Sequence, residues 1–284
     1  MAAFWSYLRR NKRLGLGIFL LLILVYLAMM GLFGIDKAKA YPLAVKPNQP
    51  PSREYPFGTD SQGRDLFAAT CMGTYLTGKI GLMAGIIGLS VGVVLGFASA
   101  YYGGVLDTVV RWVVDVLLTI PGLLVLVVIA STLRGRQGMN TNQMALIVSL
   151  LAWMWPTRTI RSQVLSLKER AFVRVAKLSG EGSLEIIFTE LMPNLLPFLG
   201  ASLVGSVTSA VFASLGLEAL GLGPMREPTL GMTIYWVMYY GAFVRKMWWW
   251  VLAPIVVIVL MFVGLFLVSA GLDELANPRV RRRV

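Results

Sequence analysis

Apolar and charged segments alternate along this chain in a way that is typical of a protein crossing a membrane several times. Long stretches without Asp, Glu, Lys or Arg are separated by shorter polar segments. At a rise of 1.5 Å per residue, about 20 such residues form a helix that crosses a hydrocarbon layer of roughly 30 Å. The pattern predicts an all-α integral membrane fold with six transmembrane helices, at residues 14–35, 80–106, 116–133, 143–157, 191–217 and 248–272.

The segments between these runs define the predicted organisation. Residues 1–13 and 273–284 are basic termini, 36–79 is a loop that begins rich in proline, and 158–190 is the most charged stretch of a five-helix core over 80–272. Short loops rich in Lys and Arg usually face the cytoplasm, so both termini and the charged stretch are expected inside, with the proline-rich loop outside. The first run is longer than the apolar core of a cleaved signal peptide, ~7–15 residues, and is interpreted as a retained helix.

The composition narrows the function classes further. Of 284 residues, 57% are hydrophobic and 14% are charged, which leaves too few polar side chains to cover a soluble protein. Basic cytoplasmic loops explain the net charge of +12 better than nucleic-acid binding does. The single cysteine, Cys71, forms no internal disulfide, and without histidine the chain lacks a common zinc ligand and catalytic base. We therefore expect no catalytic residue, no cofactor and no metal site.

Glycines recur along the second run at Gly81, Gly85, Gly88, Gly92 and Gly96. Spacings of three and four residues place them on one face of a helix, where they let another helix approach closely. The spacing predicts a packing seam rather than a ligand path, and it leaves open whether the neighbour belongs to this chain or to a partner.

The preceding segment, 66–79, is compatible with a helix. Its similarity to a phosphate-binding loop ends at Ile80, where that motif needs a hydroxyl.

Ionisable groups are rare within the predicted helices. Asp115 lies at the edge of the third run and Arg111 stands one helical turn before it, which predicts a structural ion pair at the cytoplasmic interface. The scarcity of other carboxylates argues against ion-coupled transport and against a membrane enzyme. A stand-alone secondary carrier and a scaffold that anchors an enzyme through 158–190 are the alternatives from other classes.

The charged stretch 158–190 has an internal pattern of its own. A helix that contains Ala176 is predicted to break at Gly180, to restart after Ser183 and to end at Pro193. An amphipathic helix held outside the bilayer needs a groove on a soluble partner. The apolar residues expected on one side are Leu184, Ile186, Ile187 and Phe188, and the acidic residues on another side are Glu181 and Glu185.

This stretch resembles the EAA loop of ABC importer permeases. The resemblance implies that its ATPase-coupling residues are Ala176, Gly180, Glu181, Ser183, Leu184, Glu185, Ile187, Phe188 and Pro193. Further motifs extend it over roughly residues 55–279: Phe57-Gly58-Thr59-Asp60, Gly63-Arg64-Asp65, Tyr101-Tyr102-Gly103-Gly104, Val114-Asp115-Val116-Leu117-Leu118 before Pro121, Gly221-Leu222-Gly223, and Asp273 followed by Asn277-Pro278-Arg279. Together they are similar to the second, C-type permease of the dipeptide, oligopeptide and nickel family. Arg174 stands where that family usually has a glutamate, so the docking salt bridge is expected to differ.

The resemblance implies a type I ABC importer permease fold with a cytoplasmic coupling helix. It implies a second permease subunit, two ATP-binding subunits and an extracytoplasmic substrate-binding protein, assembled in the inner (plasma) membrane of a prokaryote. The chain would hydrolyse nothing and would couple its partners' ATP hydrolysis to the import of short peptides. Oligosaccharides are the alternative cargo, because aromatic residues can stack on sugar rings. An aromatic belt at the membrane interface explains the same cluster equally well. The cluster contains Tyr235, Trp236, Tyr239, Tyr240 and residues 248–250.

Overall fold

The computed structural model describes residues 11–133 and 138–276. Within these ranges the regular structure is helical, and an isolated bridge joins Thr59 to Asp65. The α-helices are α1 Lys12–Met29, α2 Leu66–Tyr102, α3 Gly104–Thr119, α4 Gly122–Leu133, α5 Thr141–Ala152, α6 Met154–Lys168, α7 Ala171–Leu178, α8 Met192–Ala219, α9 Leu230–Tyr239 and α10 Trp248–Ala276. Most of the predicted terminal segments, including the motif at 277–279, lies outside the described residues.

Several helical stretches have the length and apolar character of membrane spans. Four qualify individually: Lys12–Gly34, Leu66–Tyr102, Ser183–Ala219 and Trp248–Glu274. The pair α3 and α4, bent by 85°, makes a fifth if it forms one span. In contrast, α5 has 12 residues, or about 18 Å of helix, which is shorter than a hydrocarbon core. The all-helical multi-spanning fold is confirmed, while the number of six spans stays a prediction.

Helix α2, the longest α-helix among the described residues, lies at the centre of the packing. Its glycines allow neighbouring helices to approach closely. A Cβ placed on Gly85 would lie 2.9 Å from the backbone of Val207 in α8. One placed on Gly88 would lie 2.8 Å from the carbonyl oxygen of Ala152 in α5, and Gly92 and Gly96 face α6 in the same way. The helices that approach this glycine face therefore include α5, α6 and α8 of the chain itself.

Residues 66–79, which precede the predicted second span and are compatible with a helix, form the first part of α2. Helix α2 begins at Leu66, where the Asp65 side chain accepts a hydrogen bond from the Phe67 backbone N–H and caps the helix. It also ends earlier than the predicted 106, because Gly103 has a φ of +67° that a helix does not continue through. The segment similar to a phosphate loop is thus part of a helix.

Proline positions account for the remaining differences from the predicted spans. The run 116–133 is divided at Pro121, because Ile120 before it takes an extended conformation and the chain turns between α3 and α4. Pro156, within the predicted span 143–157, lies in the first turn of α6. The first turn of a helix tolerates proline, since its N–H groups have no intrahelical acceptors. Pro193 is predicted to end a helix but lies within the helical stretch Ser183–Ala219, directly after the π-helical segment Ile186–Leu191.

The connection between α8 and α10 is more ordered than a polar loop. Residues 218–247 contain α9, whose amino end is capped by the Thr229 side chain. The Tyr235 and Tyr239 rings of α9 stack on each other, and the Tyr240 ring that follows lies edge-on to Tyr239 and 6.0 Å from the Trp250 ring at the start of α10. Helix α10 begins where the predicted last span, 248–272, begins, and it continues for one turn beyond the predicted end.

Candidate coupling site

The coupling segment, defined here as residues 171–191, begins with the short helix α7. One side of α7 is buried through Val173 and Ala176, which pack with residues of α2 and α6. The opposite side exposes Val175 and Leu178 together with the basic residue Arg174. Ala176, one of the predicted ATPase-coupling residues, is therefore an inward-facing residue that packs α7 against its own chain.

Gly180 ends α7 in the way that its sequence position predicts. Its φ of +85° is a left-handed conformation that side chains rarely adopt. The Gly180 N–H donates to the Lys177 carbonyl at 3.2 Å, and the Glu181 N–H donates to the Ala176 carbonyl at 3.2 Å. These two bonds form a Schellman motif, which satisfies the last carbonyls of the helix and turns the chain sharply.

A helical turn at Ser183–Glu185 and a π-helical segment at Ile186–Leu191 follow this turn. The exposed Glu185 side chain accepts a hydrogen bond from the Gly182 N–H at 3.3 Å. The prediction that Leu184, Ile186, Ile187 and Phe188 share one side is wrong: Ile186 and Ile187 are buried, whereas Leu184 and Phe188 are exposed. Consecutive apolar residues in a helix point in different directions, so they divide between an inner and an outer face.

The remaining predicted residues lie at the surface of the same segment. Ser183 is exposed at the start of the helical turn, and Glu181 is partly buried beside Gly180. Pro193 is exposed in α8, beyond the π-helical segment. Together the exposed apolar side chains form a surface that we call the outer face: Phe172, Val175, Leu178, Leu184 and Phe188.

Two lysines, Lys168 at the end of α6 and Lys177 in the coupling segment, contact the end of α2. The Lys168 ammonium donates hydrogen bonds to the carbonyls of Ala100 and Tyr101, at 3.2 and 2.8 Å. Both Lys168 and Lys177 lie over the Tyr101 ring, with their nitrogens 5.8 and 5.6 Å from its centroid. Cations are favourable at the carboxyl end of a helix and above an aromatic face, so α2 and the coupling segment are joined electrostatically as well as by packing.

Ion pairs join α3 to α6 next to the coupling segment. Arg161 donates two hydrogen bonds to the Asp107 carboxylate, the longer of them 2.6 Å, and both side chains are partly buried. Asp115 lies 3.9 Å from Arg158, and both are exposed. The prediction that Arg111 pairs with Asp115 is thus replaced by pairing between helices. Sequence spacing reports only neighbours within one helix, which is why it missed partners from α6.

A buried carboxylate that the sequence did not single out lies at the far end of α8. Glu218 is fully buried, and one of its oxygens accepts hydrogen bonds from the Thr229 hydroxyl at 2.7 Å and the Met232 N–H at 3.1 Å. Because Met232 is in the first turn of α9, this carboxylate helps to cap α9 and fixes it against α8. The only sequence signal was a single acidic residue between two apolar segments.

The proline-rich loop that precedes α2, predicted to lie outside, is held by a buried ion pair. Asp60 is fully buried and accepts hydrogen bonds from the Arg64 N–H at 2.9 Å and from the Arg64 guanidinium. Arg245, from the turn before α10, donates to the Ser61 hydroxyl at 2.6 Å. The loop is therefore a defined surface at the opposite end of α2 from the coupling segment.

Comparison with known proteins assigns the chain to a protein family. The family described as "Binding-protein-dependent transport system inner membrane component" matches residues 92–282. The dipeptide transport system permease protein DppC of Bacillus subtilis is 31% identical over 98% of this chain and 85% of its own length. The oligopeptide transport system permease protein OppC of Mycobacterium tuberculosis is 30% identical over 82% of this chain and 79% of its own. DppC of Haemophilus influenzae is 27% identical over 98% and 95%. The chain belongs to the family of binding-protein-dependent transport system inner membrane components.

Proposed function

We propose that this chain is one of two permease subunits of an ATP-driven ABC importer that moves short peptides across the inner membrane. Family membership makes it a multi-pass membrane permease of type I ABC fold and not an enzyme, with ATP hydrolysis assigned to partner subunits. Its relatives are named as dipeptide and oligopeptide transport permeases, which favours peptides over the oligosaccharides that the aromatic cluster suggested. A stand-alone carrier is disfavoured because the family is described as binding-protein-dependent.

The two-faced coupling segment is the observation that carries this proposal. Its inner face is packed against α2 and α6, so a displacement of the segment moves the central helix. Its outer face leaves apolar side chains exposed on a polar part of the chain, where the rest of the molecule does not cover them. Exposed apolar residues grouped on one short segment favour an interaction surface, and a groove on an ATP-binding subunit is the proposed partner.

The proposed assembly contains a second permease, two ATP-binding subunits and an extracytoplasmic binding protein. The coupling segment and the outer loop lie at opposite ends of α2, whose 37 residues span about 55 Å. One end therefore faces the ATP-binding subunits and the other faces the binding protein. With the coupling segment inside, both termini lie in the cytoplasm. Arg174 favours an acidic residue in the facing part of the ATPase groove.

The test is a matched pair of substitutions at equally exposed apolar positions. Leu178 on the outer face is 89% exposed and Val244, in the turn before α10, is 88% exposed. Leu178→Ser is expected to reduce recovery of the ATP-binding subunits with the purified complex, and to reduce peptide uptake into proteoliposomes, by about tenfold if the side chain contributes ~1.5 kcal/mol to docking. Val244→Ser is expected to leave ATPase recovery unchanged.

The comparison separates the proposed role from general damage. If Leu178→Ser retains normal ATPase recovery and normal uptake, the outer face does not dock the ATPase and the proposal is wrong. Equal loss in both variants would also contradict it, since solvent exposure alone would then explain the effect. Membrane insertion is checked in each case by the amount of the chain recovered from membranes.

A further inference from the structure

A groove of about 310 Å³ lies between α5 and α6 on one side and α8 and α10 on the other. Its polar lining is formed chiefly by hydroxyl groups, from Ser202, Ser206, Ser209, Ser269 and Thr159. Among the described residues, Asp273, near the end of α10, is the one ionisable residue that lines it, and Trp155 supplies an exposed aromatic wall. The groove is close to the middle of α8, remote from both the coupling segment and Glu218.

The serine hydroxyls of this groove differ from most other hydroxyls on the described helices. Thr157, Thr208 and Ser214, for example, donate to carbonyls of their own helices at 2.7–2.9 Å. By contrast, none of the four groove serines has a hydrogen bond to another residue in the described part of the chain. Ser206 is only 7% exposed and still lines the groove. A hydroxyl without a partner in its own chain is satisfied from the groove, by water or by a polar ligand that replaces the water.

We propose that this serine groove is the part of the transport pathway contributed by this subunit and that it binds the main chain of the transported peptide. The inference rests on the proposed function and adds the residues that meet the substrate. A hydroxyl both donates and accepts, as a peptide unit does. Serines therefore bind a peptide through groups that every peptide has, and they place little demand on its side chains.

The charge pattern of the groove fits the same class of ligand. Asp273 is exposed at one end and carries a carboxylate that can pair with the amino terminus of a peptide. An uncharged sugar offers no such cation. Small residues along α8 are also suited to helix packing, so close contact with the second permease is the competing use of this face and is an outcome of the test.

Substituted cysteines in the assembled importer distinguish these uses. Cys71 is the only cysteine of this chain and is fully buried, so the unmodified chain gives the background. Ser202→Cys and Ser209→Cys are treated in proteoliposomes with a small charged methanethiosulfonate reagent, and modification of this chain is followed by mass spectrometry. The control is Phe266→Cys in α10, whose native side chain is 69% exposed on an apolar surface.

Water-accessible groove positions are expected to react much faster than the control, and to react more slowly while peptide is being transported. Reaction as slow as that of Phe266→Cys overturns the proposal, and so does a disulfide or crosslink from Ser209→Cys to the second permease. Fast reaction that transported peptide does not slow also overturns it. This labelling does not depend on the outer face, so its failure is distinguishable from failure of ATPase docking.

A transport measurement tests the hydroxyls themselves. Ser206→Ala is expected to raise the half-saturating peptide concentration for uptake about threefold to tenfold, the loss typical of one hydrogen bond. Ser214→Ala, which removes a hydroxyl bonded to its own helix, is expected to leave that concentration unchanged. If both variants behave alike while the complex retains its ATP-binding subunits, the groove does not bind peptide even though the chain remains a permease.

Discussion

Gly180 and Gly182 lie on either side of Glu181 and differ in backbone conformation. A Cβ would meet no atom within 4 Å at either position, but Gly180 has a φ of +85° whereas Gly182 has a φ of −69°. Gly180→Ala is therefore expected to destabilise the turn by ~1–2 kcal/mol through backbone strain alone. Uptake and peptide-stimulated ATP hydrolysis are expected to fall together, because α7 loses its fixed angle to the rest of the coupling segment.

Gly182→Ala is the control for this change, since alanine fits its backbone without strain. Both variants are measured in proteoliposomes after confirming equal insertion. Similar activity in the two would show that the left-handed turn is not needed for coupling.

Glu218 connects α8 to α9 through its hydrogen bonds to Thr229 and Met232. Glu218→Ala is expected to lower the free energy of unfolding by ~1–3 kcal/mol, because it leaves the buried Thr229 hydroxyl without an acceptor and removes one of the two acceptors of the Met232 N–H. Glu218→Gln keeps one acceptor oxygen and is expected to lose less. The measurement is thermal unfolding of the purified complex in detergent, with the exposed Glu54→Ala as the control. Equal unfolding temperatures for the Ala variants at 218 and 54 would contradict this role.

At the scale of helices, the two ion pairs between α3 and α6 allow a direct comparison. The pair of Asp107 and Arg161 is partly buried with two hydrogen bonds, whereas Asp115 and Arg158 are exposed and 3.9 Å apart. Double-mutant cycles are expected to give a coupling energy of ~1.5–3 kcal/mol for the first pair and below ~0.5 kcal/mol for the second. Denaturant unfolding in micelles provides the measurement, and equal coupling energies would show that burial does not separate the pairs.

Helix positions could largely be predicted from the sequence, whereas helix ends and faces could not. Long uncharged runs located α1, α2, α8 and α10, because a membrane selects against charge over a fixed length. Prolines were ambiguous, since Pro156 lies in a first turn, Pro193 lies within a continuous helical stretch and Pro121 separates two helices. The inward direction of Ile187 and the outward direction of Phe188 depend on the packing of α2 and α6, which no local pattern records.

At the scale of the whole molecule, we predict which subunits assemble with this chain. Purification from native membranes in a mild detergent is expected to recover a second permease and ATP-binding subunits with this chain, identified by mass spectrometry. Family membership and the exposed outer face are the physical reasons for expecting them. A clean homo-oligomer that persists after crosslinking would contradict the proposed importer.

The candidate site was predictable where a motif is local and was missed where distant segments meet. Gly180 could be assigned because a left-handed helix end is encoded by one residue. The Lys168 bonds to the end of α2, the pairing of Arg161 and the serine groove each join residues more than 50 positions apart. Only the folded chain brings those together.

The helical stretch Ser183–Ala219 passes through three different regions of the molecule. Its first turn belongs to the coupling segment, its middle lines the serine groove, and its last turn carries Glu218. Because one helical stretch joins these regions, we expect a displacement of the coupling segment to reach the groove and the contacts of Glu218 through a single structural element.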